Sequence, residues 1–170
     1  MMSQVPEQHR REGPKSVRCA VVTVSDTRTL ATDSGGQTIV DLLADSGHQV
    51  IERRIIRDEP EPMTELLIAL RDRADVDAVL LTGGTGLGRR DQTVETVTPL
   101  LEKTLPGYGE LFRMLSYQEI GAAAMLSRAV GGLFGRTVLL TMPGSQAAVR
   151  LAMERLILPE LGHLVREATR

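Results

Sequence analysis

Residues 76–91 read VDAVLLTGGTGLGRRD. Val76 to Leu81 (VDAVLL) form a run of strand length that is apolar apart from Asp77 near its start, with no sustained polar alternation to leave one face in water, which predicts a strand buried on both faces. Directly behind it, Thr82-Gly83-Gly84-Thr85-Gly86-Leu87-Gly88 places four glycines in six positions. Such a loop lets backbone N–H groups converge on an anion, and a phosphate is the natural guest. A tight turn that merely requires positive φ seldom needs more than one or two glycines.

Two better-known phosphate loops fail on spacing. A GxGxxG fingerprint starting at Gly84 and Gly86 would require its third glycine where Arg89 stands. A P-loop begun at Gly83 and Gly88 would require Lys-Ser/Thr where Arg89-Arg90 stand. The loop is therefore read as an anion cradle of another kind.

Outward from it, strand and helix alternate. Val17 to Val24 (VRCAVVTV) reads as a second buried strand ending at Ser25-Asp26. Ile39, Leu42 and Leu43 share a helical face closed by Ser46-Gly47. Val50 to Ile56 is a weaker strand, interrupted by Glu52, Arg53 and Arg54, as at a sheet edge, and Met63, Leu66, Leu67 and Leu70 mark the next helix. Beyond Asp91, Val94, Val97, Leu100 and Leu101 predict a helix that Pro99 must kink. Residues 106–132 predict two short helices bounded by glycine, and Thr137 to Thr141 a last strand. A helix through Val149, Ala152, Met153, Leu156 and Ile157 follows, ended or kinked by Pro159.

Strands separated by helices need right-handed crossovers, which put helices on both faces of the sheet. The predicted fold is a three-layer α/β/α domain with a mostly parallel sheet, spanning residues 17–170 behind a disordered tail at 1–16. Ligands of such sheets bind outside the carboxyl ends of the strands. That places Ser25-Asp26, Arg57-Asp58, Thr82 to Asp91 and Met142 to Ser145 around one crevice.

Composition narrows the partners. The chain has 170 residues, 42% of them hydrophobic, and a net charge of −2, enough for one core and without the single-sign field that favours nucleic acid or an anionic membrane. Lysine occurs only at Lys15 and Lys103, and the one cysteine, Cys19, lies inside a predicted strand as a small hydrophobe. No leader-like or membrane-spanning apolar segment occurs, so the expected location is the cytoplasm. There is no GxSxG, and His48 and His163 fall in or beside helices, which argues against a serine hydrolase.

Several side chains at the strand ends are candidates for chemistry. Asp91 is either an N-cap for the amides of Gln92 to Val94 or a Mg²⁺-associated carboxylate, with Thr93 and Glu95 adding oxygens. Asp58, either a turn-former before Pro60 or a second carboxylate, faces the same crevice. Ser25, Asp26, Pro143, Gly144 and Ser145 can hold a phosphate or a ring edge, or cap the next helix. Arg89 or Arg90 can supply positive charge.

TVSDTR (23–28), DSGG (33–36), LTGGTG with RRDQTVE (81–95), GELFRMLSYQEIGAAAMLSRA (109–129) and MPGS (142–145) together resemble the MoaB/MogA family of molybdenum cofactor biosynthesis proteins. The long block at 109–129 is more similar to the MoaB branch. The resemblance implies a molybdopterin-binding fold that assembles as a trimer or, in that branch, a hexamer. It also implies transfer of AMP from Mg²⁺-ATP to the terminal phosphate of the pterin, with release of pyrophosphate. The family's functional aspartates map by motif onto Asp58 and Asp91, both also implied as Mg²⁺ ligands. Gly83, Gly84, Thr85, Gly86 and the Pro143-Gly144-Ser145 turn map onto the nucleotide and pterin sites. A non-catalytic molybdopterin carrier is the alternative within the same pathway. Relatives often carry a small residue or proline in place of Arg89, which is given no role.

Overall fold

The computed structural model describes residues 13–170. The tail reading for residues 1–12 lies outside them, whereas Gly13 and Pro14 pack against Gly162 of the last helix. Three apolar runs expected as buried strands form β1 (Arg18–Val24), β3 (Ala78–Thr82) and β6 (Thr137–Met142). The interrupted run forms β2 (Gln49–Ile56) at the sheet edge. With β4 (Lys103–Thr104) and β5 (Gly131–Phe134), the order is β2-β1-β3-β6-β5-β4. The first four are parallel to one another, while β5 and β4 are antiparallel additions.

β4 and β5 are absent from the sequence reading. Gly131-Gly132 shows no side-chain alternation, and β5 exists because β6 offers it a ladder with Gly131 opposite Leu140 and Phe134 opposite Thr137. The two helices expected in this region are a fifteen-residue α4 (Pro106–Ile120) and a 3₁₀ turn over Gly121–Leu126. Pro106 starts the first, and Gly121, at φ +61°, divides them.

The other helices are α1 (Ser34–Asp45), α2 (Pro60–Arg71), the short α3 (Thr93–Val97), α5 (Gln146–Ala152) and α6 (Leu158–Thr169). A 3₁₀ turn over Thr98–Leu100 absorbs Pro99. A π-turn over Met153–Ile157 precedes Pro159, whose missing N–H prevents an ordinary α-helical bond there. One sheet face packs Val21, Leu80 and Leu140 against Ile39, Phe112 and Met153. The other packs Val22, Val79 and Leu81 against Met63, Leu67 and Val97. This is the expected three-layer α/β/α architecture. Cys19 is buried, and burial pushes its thiol up to about 12.

Asp33 ties α1 to the sheet. Its carboxylate accepts from Gly36 N at 2.9 Å, from Thr23 Oγ1 of β1 at 2.7 Å and from Arg53 Nη2 of β2 at 3.1 Å. The side chain has no solvent exposure. Burial by itself would raise its pKa, but these donors outweigh it and hold the carboxyl below the usual range. Stabilisation of that sign is complete above the unfolded-state value, roughly pH 4, and lost as pH falls through the lower folded one. Replacing Asp33 with Asn is therefore expected to cost about 2 kcal/mol at pH 7, because the largely buried Arg53 guanidinium loses its counter-charge. It should also flatten the acid limb of the stability profile. Urea denaturation of both proteins between pH 3 and 7 measures the two effects.

Candidate functional site at the carboxyl edge of the sheet

The four segments expected to share a crevice do so. Gly83 N donates to Met142 O at 3.1 Å, and Thr82 Oγ1 to Pro143 O at 3.1 Å, so the glycine loop is stitched to the turn after β6. Ser25 N extends the ladder to Ile56 O at 2.8 Å, joining the ends of β1 and β2. Gly83 (φ +98°) and Gly84 (φ +63°) lie in the left-handed region. A Cβ at the first would strike the carbonyl of Val24, and at the second the Asp58 carboxylate and the Thr93 hydroxyl. Both positions need glycine for shape as well as for φ.

The loop's carbonyls and amides have different fates. Thr93 donates its hydroxyl to Gly83 O and its N–H to Gly84 O, each at 2.9 Å. Arg128 donates Nε to Thr85 O at 2.8 Å and Nη2 to Gly86 O at 2.6 Å. Every carbonyl from Gly83 to Gly86 is thereby occupied. The N–H groups of Gly84, Thr85, Gly86 and Leu87 donate to no acceptor among the described residues. A run of amides freed while its carbonyls are pulled away is an anion cradle.

Asp58 is buried at the end of β2, where its Oδ1 accepts from Gln92 N at 3.0 Å. Burial pushes its carboxyl above the ordinary range. Asp91 and Asp26 push the same way, against the Gln92 N–H and the Arg90 guanidinium. Asp26 accepts from Asp58 N at 3.2 Å and pairs with Arg90 through Nη2 at 2.6 Å; that guanidinium, with the Asp58 N–H, holds the Asp26 carboxyl low. Asp91 does not cap α3, whose N-cap is Gln92 without a side-chain bond. Its Oδ2 instead accepts from Gly88 N at 2.9 Å, across the neck of the glycine loop.

Other expected residues are placed differently. The Thr93 hydroxyl is buried under the loop, and Glu95 points to Arg128 at 2.6 Å on the loop's outer side. Ser25 Oγ accepts from Arg28 N at 3.1 Å, and Ser145 Oγ caps α5 through Ala148 N at 3.2 Å. Pro143 and Ser145 border an apolar depression of about 230 Å³ with Ile120, Leu126 and Leu151. His48 lies away from the crevice, accepting from Val17 N at 3.1 Å. Arg128 escaped the sequence reading of the site. It sits more than forty residues from the carbonyls it holds, and spacing carries no trace of such a contact.

A family model described as a probable molybdopterin binding domain matches residues 20–163. The chain is 52% identical over 164 residues to molybdenum cofactor biosynthesis protein B of Bacillus cereus, covering 96% of this chain and 97% of that one. It is 53% identical over 162 residues to the protein of the same name from Halalkalibacterium halodurans, covering 95% of each. Among solved structures, a molybdenum cofactor biosynthesis protein B superposes with a TM-score of 0.89 at 53% identity, over 92% of this chain and 98% of that one. The tungsten cofactor synthesizing protein MoaB of Pyrococcus furiosus superposes at 0.80 and 35%, over 92% and 99%.

Arg128 sets the direction of the loop's amides, so Arg128→Ala should free the carbonyls of Thr85 and Gly86 and cost about 2 kcal/mol for the lost charge-assisted bonds. Amide hydrogen exchange at Gly88 and Thr93, whose N–H groups are bonded within the loop region, is expected to rise at least roughly tenfold, with little change in β1 and β3. Arg128→Lys should restore little of it, because an ammonium cannot span two carbonyls and Glu95 as a planar fork does. Unchanged exchange in the alanine variant would show that the loop holds its shape without the clamp.

Proposed function

The chain belongs to the MoaB/MogA family of molybdenum cofactor biosynthesis proteins, and from that premise we propose that it binds molybdopterin and Mg²⁺-ATP and transfers AMP to the pterin's terminal phosphate. The observation that carries this reading is the run of open amides from Gly84 to Leu87, held beside two carboxylates, Asp58 and Asp91. Amides provide for phosphate charge, and acids provide for a cation travelling with it.

The donor set fits Mg²⁺ brought in on a nucleotide. Among the described residues no group of three or more acidic, histidine or cysteine side chains is arranged to hold a metal. One or two carboxylates suffice when phosphates and water complete the octahedron. Bound there, the ion would neutralise charge on the transferred and departing phosphates. The elevated Asp58 pKa agrees with this, since a carboxylate placed beside Asp91 and Asp26 gains from a neighbouring cation.

The attacking group is itself a phosphate, already ionised at neutral pH, so no strong base is needed and a crevice with no histidine among its described residues is adequate. The loop amides orient the phosphates and stabilise developing charge. Pro143, Gly144 and Ser145, beside the apolar depression, would take a heterocycle, and Thr85, Gly86, Ser25 and Asp26 complete the walls.

The exposed row Leu111, Met114, Tyr117 and Ile120 on α4 continues into Met125 and Leu126. We assign self-association, as a trimer or hexamer, to this face. Ile120 and Leu126 also line the apolar depression, so a neighbouring copy would help to wall it. Met114→Glu with Tyr117→Glu is expected to shift sedimentation toward monomer while the fold survives, as both side chains are exposed.

Incubation with molybdopterin and Mg²⁺-ATP should yield adenylylated pterin and pyrophosphate. Asp58→Asn and Asp91→Asn should each lower the rate by roughly a hundredfold or more, with a much smaller change in pterin affinity. Pterin binding with no product, and no calorimetric response to millimolar Mg²⁺-ATP, would instead make the protein a carrier.

A further inference from the structure

At the same edge of the sheet as the glycine loop lies an open depression of about 450 Å³ between the end of β2 and the segment following β1. Arg28, Arg53, Arg54 and Arg57 lie on its rim, with Ser25 and a single acid, Asp26. We propose that this depression is a polyphosphate site, which receives the terminal two phosphates of the nucleotide and then the pyrophosphate. The assignment to a nucleotide rests on the adenylyl-transfer reading above.

The charges on the rim leave capacity for an anion. Asp26 is already paired with Arg90 at 2.6 Å. Arg53 is anchored by Asp33 and Gln37, so its position is fixed before any ligand arrives. Arg54 is paired with Glu52 and contributes little. Arg28 has no carboxylate within 4.0 Å among the described residues, and its Nη1 donates only to Thr32 O at 3.3 Å and Ser34 Oγ at 3.2 Å. Arg57 meets Glu59 at 3.9 Å with three quarters of its side chain exposed, a contact weak enough to give way to a doubly charged phosphate. Guanidiniums are suited to this, since their planar forks match phosphate oxygens in pairs.

Position gives the direction of the chain of phosphates. Ser25 and Asp26 line the depression, and Asp26 also touches Asp58 N, which places the depression next to Asp58, the residue that lies against Gly84 of the loop. The depression near Pro143 and Ser145, on another border of the crevice, is lined largely by apolar side chains. Heterocycle and polyphosphate would thus occupy different borders, with the α-phosphate over the loop between them. In the transfer, an oxygen of the pterin phosphate bonds to the α-phosphorus. The bond from that phosphorus to the oxygen bridging to the β-phosphate breaks, and its electron pair departs on pyrophosphate. No proton need move. Arg28 and Arg57 take up the charge that collects on the leaving group.

Inorganic pyrophosphate and AMP are the probes, titrated separately by calorimetry into the full-length protein, its Arg28→Ala and Arg57→Ala variants, and the double variant. Pyrophosphate binding is expected to weaken roughly tenfold for each arginine removed, the scale of one charge-assisted contact, and AMP binding by less than about twofold. Arg57→Lys, which keeps the charge on an exposed position, should recover part of the loss. Thermal unfolding of each variant identifies any that misfold, and Arg57→Ala is the safest because that side chain is mostly in solvent. Pyrophosphate binding the double variant as tightly as the unaltered protein would overturn the site, as would AMP binding without any pyrophosphate binding. Arginine-dependent pyrophosphate binding without AMP binding would support the polyphosphate site while removing the adenylyl-transfer reading.

Discussion

The carbonyl oxygen of Val24, at the end of β1, occupies the space that a side chain on residue 83 would need, and a Cβ on Gly144 would lie 3.2 Å from the Cα of Gly83. Three chain segments meet with only backbone between them, and the carboxyl edge of the sheet depends on that approach. It lets Gly83 donate to Met142 O, turns the chain through positive φ, and lowers the loop onto Thr93 and Asp58. A side chain at either glycine would separate β1, β3 and β6 at the point where they deliver their residues to the crevice.

The electrostatics of the crevice follow from what this packing leaves unsatisfied. Carbonyls of the loop are taken by Thr93 and Arg128, while four consecutive amides stay open. Asp58 is drawn under the loop into a setting that disfavours its own charge, and Asp26 is steadied by Arg90 across the opening. An amide cradle, a carboxylate that would gain from a cation, and arginines at the rim are the features on which the proposed binding of a magnesium-bearing phosphate ester rests. The aspartates and the glycine loop of the crevice follow the carboxyl ends of β1, β2 and β3, where open α/β sheets bind their ligands.

Legibility in the sequence divides along the range of the interactions. Three of the four parallel strands are visible because each is a largely apolar run, and β2 reveals itself as an edge through Glu52, Arg53 and Arg54. The crevice is legible because the strand-end rule needs only the order of elements. Both β4 and β5 are invisible, since two-residue and Gly-Gly strands have no pattern of their own and exist by pairing, β5 with β6 and β4 with β5. The same division holds within the site. The glycine loop and the strand-end aspartates can be read locally, and the bond from Gly88 N to Asp91 is local too but competes with the N-cap reading, whereas the Arg128 clamp arises only when distant segments pack.

Arg128 shows why such long-range contacts concern function as well as stability. A glycine-rich loop is entropically free to present carbonyls or amides to its crevice, and glycine by itself does not choose. The choice is made from outside the loop, by a guanidinium that binds two adjacent carbonyls and is itself paired with Glu95. An ammonium could hold one carbonyl and leave the next to rotate. The sign of the charge the loop welcomes is therefore set by a residue that need not touch the ligand. The glycines permit an anion site, and Arg128 with Thr93 makes the loop one.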